Sequence, residues 1–176
     1  MTFLLVKQLF LKREICNVCY HDVDRHNNGK QCVSPEKRNN ANVFDIDVKI
    51  AFEYLLNRLW PAIVQYKKEI ESNLANENND IPFNTLYRTM VNGIKNCTNF
   101  ISLILHLDGI SLCKSTKLKL WLLSGIFIEL PPHLRYRRCN MILISVYIGY
   151  AEPQSKLWLA SSFSQLNELK TDGKNF

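Results

Sequence analysis

The sequence predicts an α+β fold: a cysteine-rich N-terminal arm and a helical segment, then a three-stranded antiparallel meander and a C-terminal helix. Three observations lead there. Apolar residues recur at helical spacing from Phe44 into the Glu69 region. Three β-rich runs, Phe100 to Leu112, Leu118 to Leu130 and Met141 to Tyr150, are joined by spacers too short for helical crossovers. The stretch before Ala41 is polar after its first turn and offers no core of its own.

Residues 1–43 form the arm. Its middle, "DRHNNGKQCVSPEKRNN", combines Asn, Gly, Pro and charge as loops do. Cys16-x-x-Cys19 with His21, His26 and Cys32 places five soft or borderline donors within 17 residues. Zinc takes four such ligands, so a structural zinc site is one reading. A strong zinc signature has paired knuckles, whereas only one is present here, and an unfolded arm is the other reading.

Residues 44–98 form the helical segment. "FDIDVKIAFEYLLNRLW" carries Leu55 and Leu59 at helical spacing, with Asp45 and Asp47 near the positive end of the helix dipole. Pro61 suits the first position of a second helix, "PAIVQYKKEIESNLANE", so a corner is expected there. The Asn-rich "NLANENNDIPFN" reads as a linker, and a short helix is expected around "TLYRTMVNGI".

Residues 99–176 carry the meander. In the run from Met141 both faces are mostly apolar, as in a strand covered on both sides. "SSFSQLNELK" supplies the closing helix, with Ser162 or Ser164 as its N-cap. Cys97, Cys113 and Cys139 read as small core hydrophobes.

Composition restricts the function class. Of 176 residues, 47% are hydrophobic and 22% charged, which fits a soluble globular chain better than a disordered one. Lys119, Glu129 and Arg135 keep every apolar run below the roughly 18 residues a spanning helix needs. "MTFLLVKQLFLKR" puts its charges after the apolar stretch and lacks a small-residue cleavage site, so an intracellular chain without membrane contact is expected. Six unevenly spread cysteines do not make a disulfide framework.

The net charge of +6 lies at the two ends: seven basic against four acidic residues over 1–43, six against seven over 44–98, and nine against five over 99–176. Excess positive charge favours polyanions, which makes nucleic acid, and DNA within it, the partner class to consider first, with ordinary solubility as the other reading. Candidate DNA-binding residues are Lys114, Lys117 and Lys119 in one turn and Arg135, Arg137 and Arg138 in the next, where Tyr136 is interleaved with arginines. A middle strand of about ten residues would separate the two groups by roughly 30 Å, too far for one patch.

The residue most in need of a reason is Asp108, on a strand with Leu103, Leu105 and Leu107. A carboxylate among aliphatic residues is costly to bury unless it is paired or bound to metal. The strand could end at the Asp108-Gly109 turn, Asp108 could pair with His106 or a lysine, or it could be a metal-binding active-site acid.

A string of motifs resembles a family of DNA-transposon-encoded transposases from animal genomes. It runs through Asn99-Phe100-Ile101-Ser102-Leu103, Asp108-Gly109-Ile110, Lys114-Ser115-Thr116, Leu120-Trp121, Glu129-Leu130-Pro131, Asn140-Met141-Ile142-Leu143, Gly149 and Leu166-Asn167-Glu168-Leu169. "CNVCY" at the front and Leu86-Tyr87 extend it. Leu107, Leu122 and Ile128 depart from the pattern.

The resemblance implies a partial RNase H-like fold with Asp108 as the first catalytic acid, where several carboxylates together hold Mg²⁺ or Mn²⁺ in an intact relative. It implies a nuclear location if the protein functions. The polar "TDGKNF" after "LNELK" suggests a chain truncated before the remaining acids. The reading is therefore a truncated transposase fragment, inactive by itself, with a non-enzymatic zinc- or DNA-binding remnant as the alternative.

Overall fold

The computed structural model describes residues 10–19, 21–22, 40–72, 80–92, 100–113, 115 and 117–172. Among them run six strands: β1 (Phe10–Cys16), β2 (His21–Asp22), β3 (Asn40–Ile46), β4 (Leu103–Cys113), β5 (Leu118–Phe127) and β6 (Ile142–Gly149). The α-helices are α1 (Val48–Glu71), α2 (Thr85–Asn92), the single turn α3 (Pro132–Arg135) and α4 (Ser155–Asp172). The strands make one antiparallel sheet in the order β2-β1-β3-β6-β5-β4.

That sheet corrects the expected fold. In place of the expected three-stranded meander of a partial RNase H-like fold there is a six-stranded sheet, whose other three strands come from the supposed arm and the first residues of the supposed helical segment. The reason lies in β3, whose alternate residues Ala41, Val43 and Asp45 are buried. β1 pairs with β3 from Phe10↔Ile46 to Cys16↔Asn40, and β3 pairs with β6 from Asn42↔Ile148 to Asp45↔Ser145. A segment so placed needs little hydrophobicity of its own, because β6 and α4 complete its core.

The chain divides into two units. One takes the described residues up to Phe52 with His106–Ser124 and those from Leu143 onward; the other takes Glu53–Leu105 and Gly125–Ile142. In the first, Ile15, Val43, Leu123, Ile144, Tyr147 and Trp158 are buried, with the Tyr147 and Trp158 rings 5.8 Å apart. In the second the core holds Leu55, Leu59, Ile63, Phe127 and Leu130. Its Tyr66 and Phe83 rings meet edge to face at 6.4 Å.

Several local expectations also change. Asp45 lies within strand β3 instead of opening a helix, while Asp47 accepts the Ile50 N–H at 3.1 Å as the cap of α1. Pro61 lies inside α1 and makes no corner. Its ring deprives the Asn57 carbonyl of a partner, but both residues are exposed, so water can replace that bond. α4 begins at Ser155, well before the expected caps, and Ser162 is buried in its middle. Cys139 is exposed, not core, whereas Cys16 is buried. The linker at 73–79 and Cys97 lie outside the described residues.

Candidate functional site

In the second unit two carboxylates turned to the interior organise the loop that follows β5. Arg135 is fully buried and spends its fork on the interior: Nη1 and Nη2 donate to the two Asp80 oxygens at 2.6 and 2.7 Å, Nη2 also to the Ile128 and Leu130 carbonyls at 2.6 and 2.7 Å, and Nε to the Leu130 carbonyl at 3.1 Å. Asp80 also accepts the Tyr66 hydroxyl at 2.5 Å and its neighbour's N–H, from Ile81, at 2.8 Å. Burial alone pushes the Asp80 carboxyl up; Arg135, Tyr66 and the Ile81 N–H together outweigh it and hold it below the usual carboxylate range. Arg135 is therefore not a surface DNA ligand. It clamps the start of the loop.

Glu129, also fully buried, accepts the Tyr87 hydroxyl at 2.6 Å and the Ser102 N–H at 2.8 Å. Burial and the Glu129 charge raise the Tyr87 hydroxyl, so it remains a donor. Lys67 donates to the Phe100 carbonyl, with its Nζ 4.4 Å from the Phe100 ring centroid, and burial lowers its pKa against the pull of Glu129 and Glu71. Both carboxylates serve the interior, and neither is offered to a ligand.

What the clamp holds up is an exposed corner. Pro131 to Met141 contain three arginines, one histidine and no carboxylate. With Arg135 inside, His133, Tyr136, Arg137 and Arg138 point outward as exposed residues. Buried Asn140 fixes the far end by donating to the Leu134 carbonyl at 2.9 Å. Arg58 of α1 ties in from the side, Nη2 donating to the Cys139 carbonyl at 2.5 Å and to Asn140 Oδ1 at 2.8 Å. Its guanidinium lies 5.7 Å from the Tyr54 ring centroid, one helical turn back. Tyr136, Arg137 and Arg138 are the corner residues expected from the sequence; Tyr54 and Arg58 were not expected, and their one signal is their i, i+4 spacing on a helix.

In the first unit the sheet register builds a second buried network. Ser145 sits directly opposite Asp45 and donates to Oδ1 at 2.6 Å. Trp158 Nε1 donates to Ser145 Oγ at 2.9 Å, and Arg13 Nε to Asp45 Oδ2 at 2.6 Å. Arg13 also reaches the Leu157 carbonyl at 3.2 Å, the Trp158 carbonyl and Asp22. Asp45 is 2% exposed, so this group fastens α4 to the sheet and is closed to substrate.

Asp108 is neither buried nor clustered. It lies exposed on β4, the last strand of the sheet, and accepts the N–H of Gly109 at 2.8 Å. The desolvation argued from its aliphatic neighbours does not arise, since Leu105, Leu107, Ile110 and Leu112 are exposed too. Gly109 beside it is required by space: a Cβ there would stand 2.8 Å from the Trp121 ring. Lys117 is exposed with a left-handed φ of 56°, and Lys119 pairs with Glu152 at 2.9 Å. Lys114 lies outside the described residues.

Cys16 and His21 face each other across the β1–β2 hairpin, with Cys19 in its turn. The expected zinc ligands His26 and Cys32 lie outside the described residues. Among the described residues, no three His, Cys, Asp or Glu side chains are grouped to hold a metal ion. No described helix is long and apolar enough to cross a membrane.

Residues 2–170 match the family model described as "Protein of unknown function (DUF1258)". No curated protein and no solved structure matches the chain.

Proposed function

Since the chain belongs to the DUF1258 family, we propose that it is a nucleic-acid-binding module of transposon-transposase ancestry, gripping phosphates with the corner from His133 to Asn140. The motif string from Asn99 to Leu169 supports the ancestry. The observation that carries the binding is the corner itself: exposed Arg137 and Arg138 stand on a loop whose two ends are pinned by buried Arg135 and Asn140. A loop already ordered loses little entropy on binding, so its cations are better used than those of a flexible tail. No acidic residue in the segment opposes them.

The test is titration with DNA at several salt concentrations. The logarithm of the affinity should fall linearly with the logarithm of the salt concentration. An Arg137→Ala/Arg138→Ala double variant should lower the slope by roughly 1.4–1.8, at about 0.7–0.9 for each phosphate that is no longer neutralised. Binding indifferent to salt, or a double variant with the unaltered slope, would refute the assignment to this corner.

A further inference from the structure

We propose that the polymer this corner takes is single-stranded, with unpaired bases stacking on Tyr54 and Tyr136; the inference rests on the nucleic-acid-binding reading above. Tyr54 is 67% and Tyr136 63% exposed. Rings of this size are ordinarily sunk in a core or at least half covered, because each carries a large apolar area. These two instead stand in solvent on an ordered scaffold. Each has a guanidinium beside its ring, Arg58 at 5.7 Å from the Tyr54 centroid and Arg135 at 5.9 Å from that of Tyr136.

The scaffold fixes both rings in one neighbourhood. Arg58, next to Tyr54, is bonded to the Cys139 carbonyl and the Asn140 side chain. Tyr136 is three residues before Cys139, at most about 11 Å away along the chain. Arg137 and Arg138 follow Tyr136 directly in the chain and are exposed, with Arg137 Nε held by the His133 carbonyl at 3.1 Å. Two exposed rings and two exposed cations on one scaffold match the chemistry of an unpaired strand, whose phosphates meet arginines while its bases lie on rings. In a duplex the base faces are covered by their neighbours, so the tyrosines would have nothing to stack on.

Fluorescence anisotropy with a labelled short oligothymidylate, and with a duplex carrying about as many phosphates, distinguishes the cases at one salt concentration. The single strand should bind at least about tenfold tighter. Tyr136→Ala and Tyr54→Ala should each weaken it by roughly five- to a hundredfold with the salt slope unchanged, while Tyr136→Phe keeps the affinity because stacking needs the ring and not the hydroxyl. Both side chains are exposed, so melting curves of the variants should overlay the parent. Equal or tighter duplex binding, or alanine variants that bind like the parent, overturns the stacking inference and leaves phosphate binding standing. Salt-dependent binding to neither polymer overturns the nucleic-acid reading itself.

Discussion

Replacing Arg135 with alanine should remove much of the stability of the unit that carries the corner. The guanidinium is fully buried and makes five hydrogen bonds, two to Asp80 and three to the Ile128 and Leu130 carbonyls. Breaking a buried pair by deleting one partner costs about 3–5 kcal/mol, because the remaining charge is left in a medium that solvates it poorly. Measured against a total of about 5–15 kcal/mol, that is a large share. At roughly 2–4 °C per kcal/mol, the midpoint should fall by roughly 6–20 °C.

The loss should also depend on pH. In the parent, Asp80 is held below its ordinary value, so its contribution is complete above the unfolded pKa of about 3.9 and vanishes as pH falls through the folded value. Without Arg135, burial is opposed only by Tyr66 and the Ile81 N–H, and the carboxyl should move up. Its cost then grows as pH rises through that new value. The gap between the two proteins should therefore be widest at neutral pH and narrow toward pH 3. Arg135→Lys keeps the charge but cannot span the four acceptors, so it should fall between them. Thermal melts across that pH range decide the matter; a loss below about 1 kcal/mol, or a gap constant with pH, would show that the pair does not act as described.

Two other outcomes follow from the first unit. Ser145→Ala takes the acceptor from Trp158 Nε1 and one donor from Asp45, so urea unfolding should show a loss of about 1–3 kcal/mol; a change near zero would mean that water enters and replaces the hydroxyl. Asp108→Asn alters an exposed side chain and should leave stability within about 0.5 kcal/mol, with Mn²⁺ shifting neither protein's midpoint, whereas a selective Mn²⁺ stabilisation of the parent would reveal a metal site at β4.

The three C-terminal strands were legible because each is a long apolar run with turn residues at both ends. β1 and β3 were not. "NANVFDI" has only three strong hydrophobes and is flanked by Asn, and its burial depends on β6, about a hundred residues later. α1 was visible in its spacing, but Pro61 read as a boundary because sequence does not reveal that Asn57 and Pro61 are both exposed. In "LRYRR" three arginines look alike, and only one goes inside. The choice is made by Asp80, 55 positions away, which no local pattern in "NNDIPF" announces. The exposed half of the corner was readable from its charge; the clamp beneath it and the contribution of α1 were not.

The pairing of β3 with β6 also fixes the order in which the chain can fold. Asp45 and Ser145 lie 100 positions apart. At a synthesis rate of about 5–20 residues per second, β3 waits roughly 5–20 s for the strand that completes it. During that interval the buried acid network does not exist, and the apolar residues of β1 and β3 have only each other. Local elements such as α1 and the β4–β5 hairpin can form within microseconds of emerging, so the slow step is the capture of an early, poorly hydrophobic hairpin by a late, strongly hydrophobic strand. The closing of the sheet is thus deferred until β6 has been made, and the β1–β3 pair is the part of the nascent chain most exposed to wrong partners.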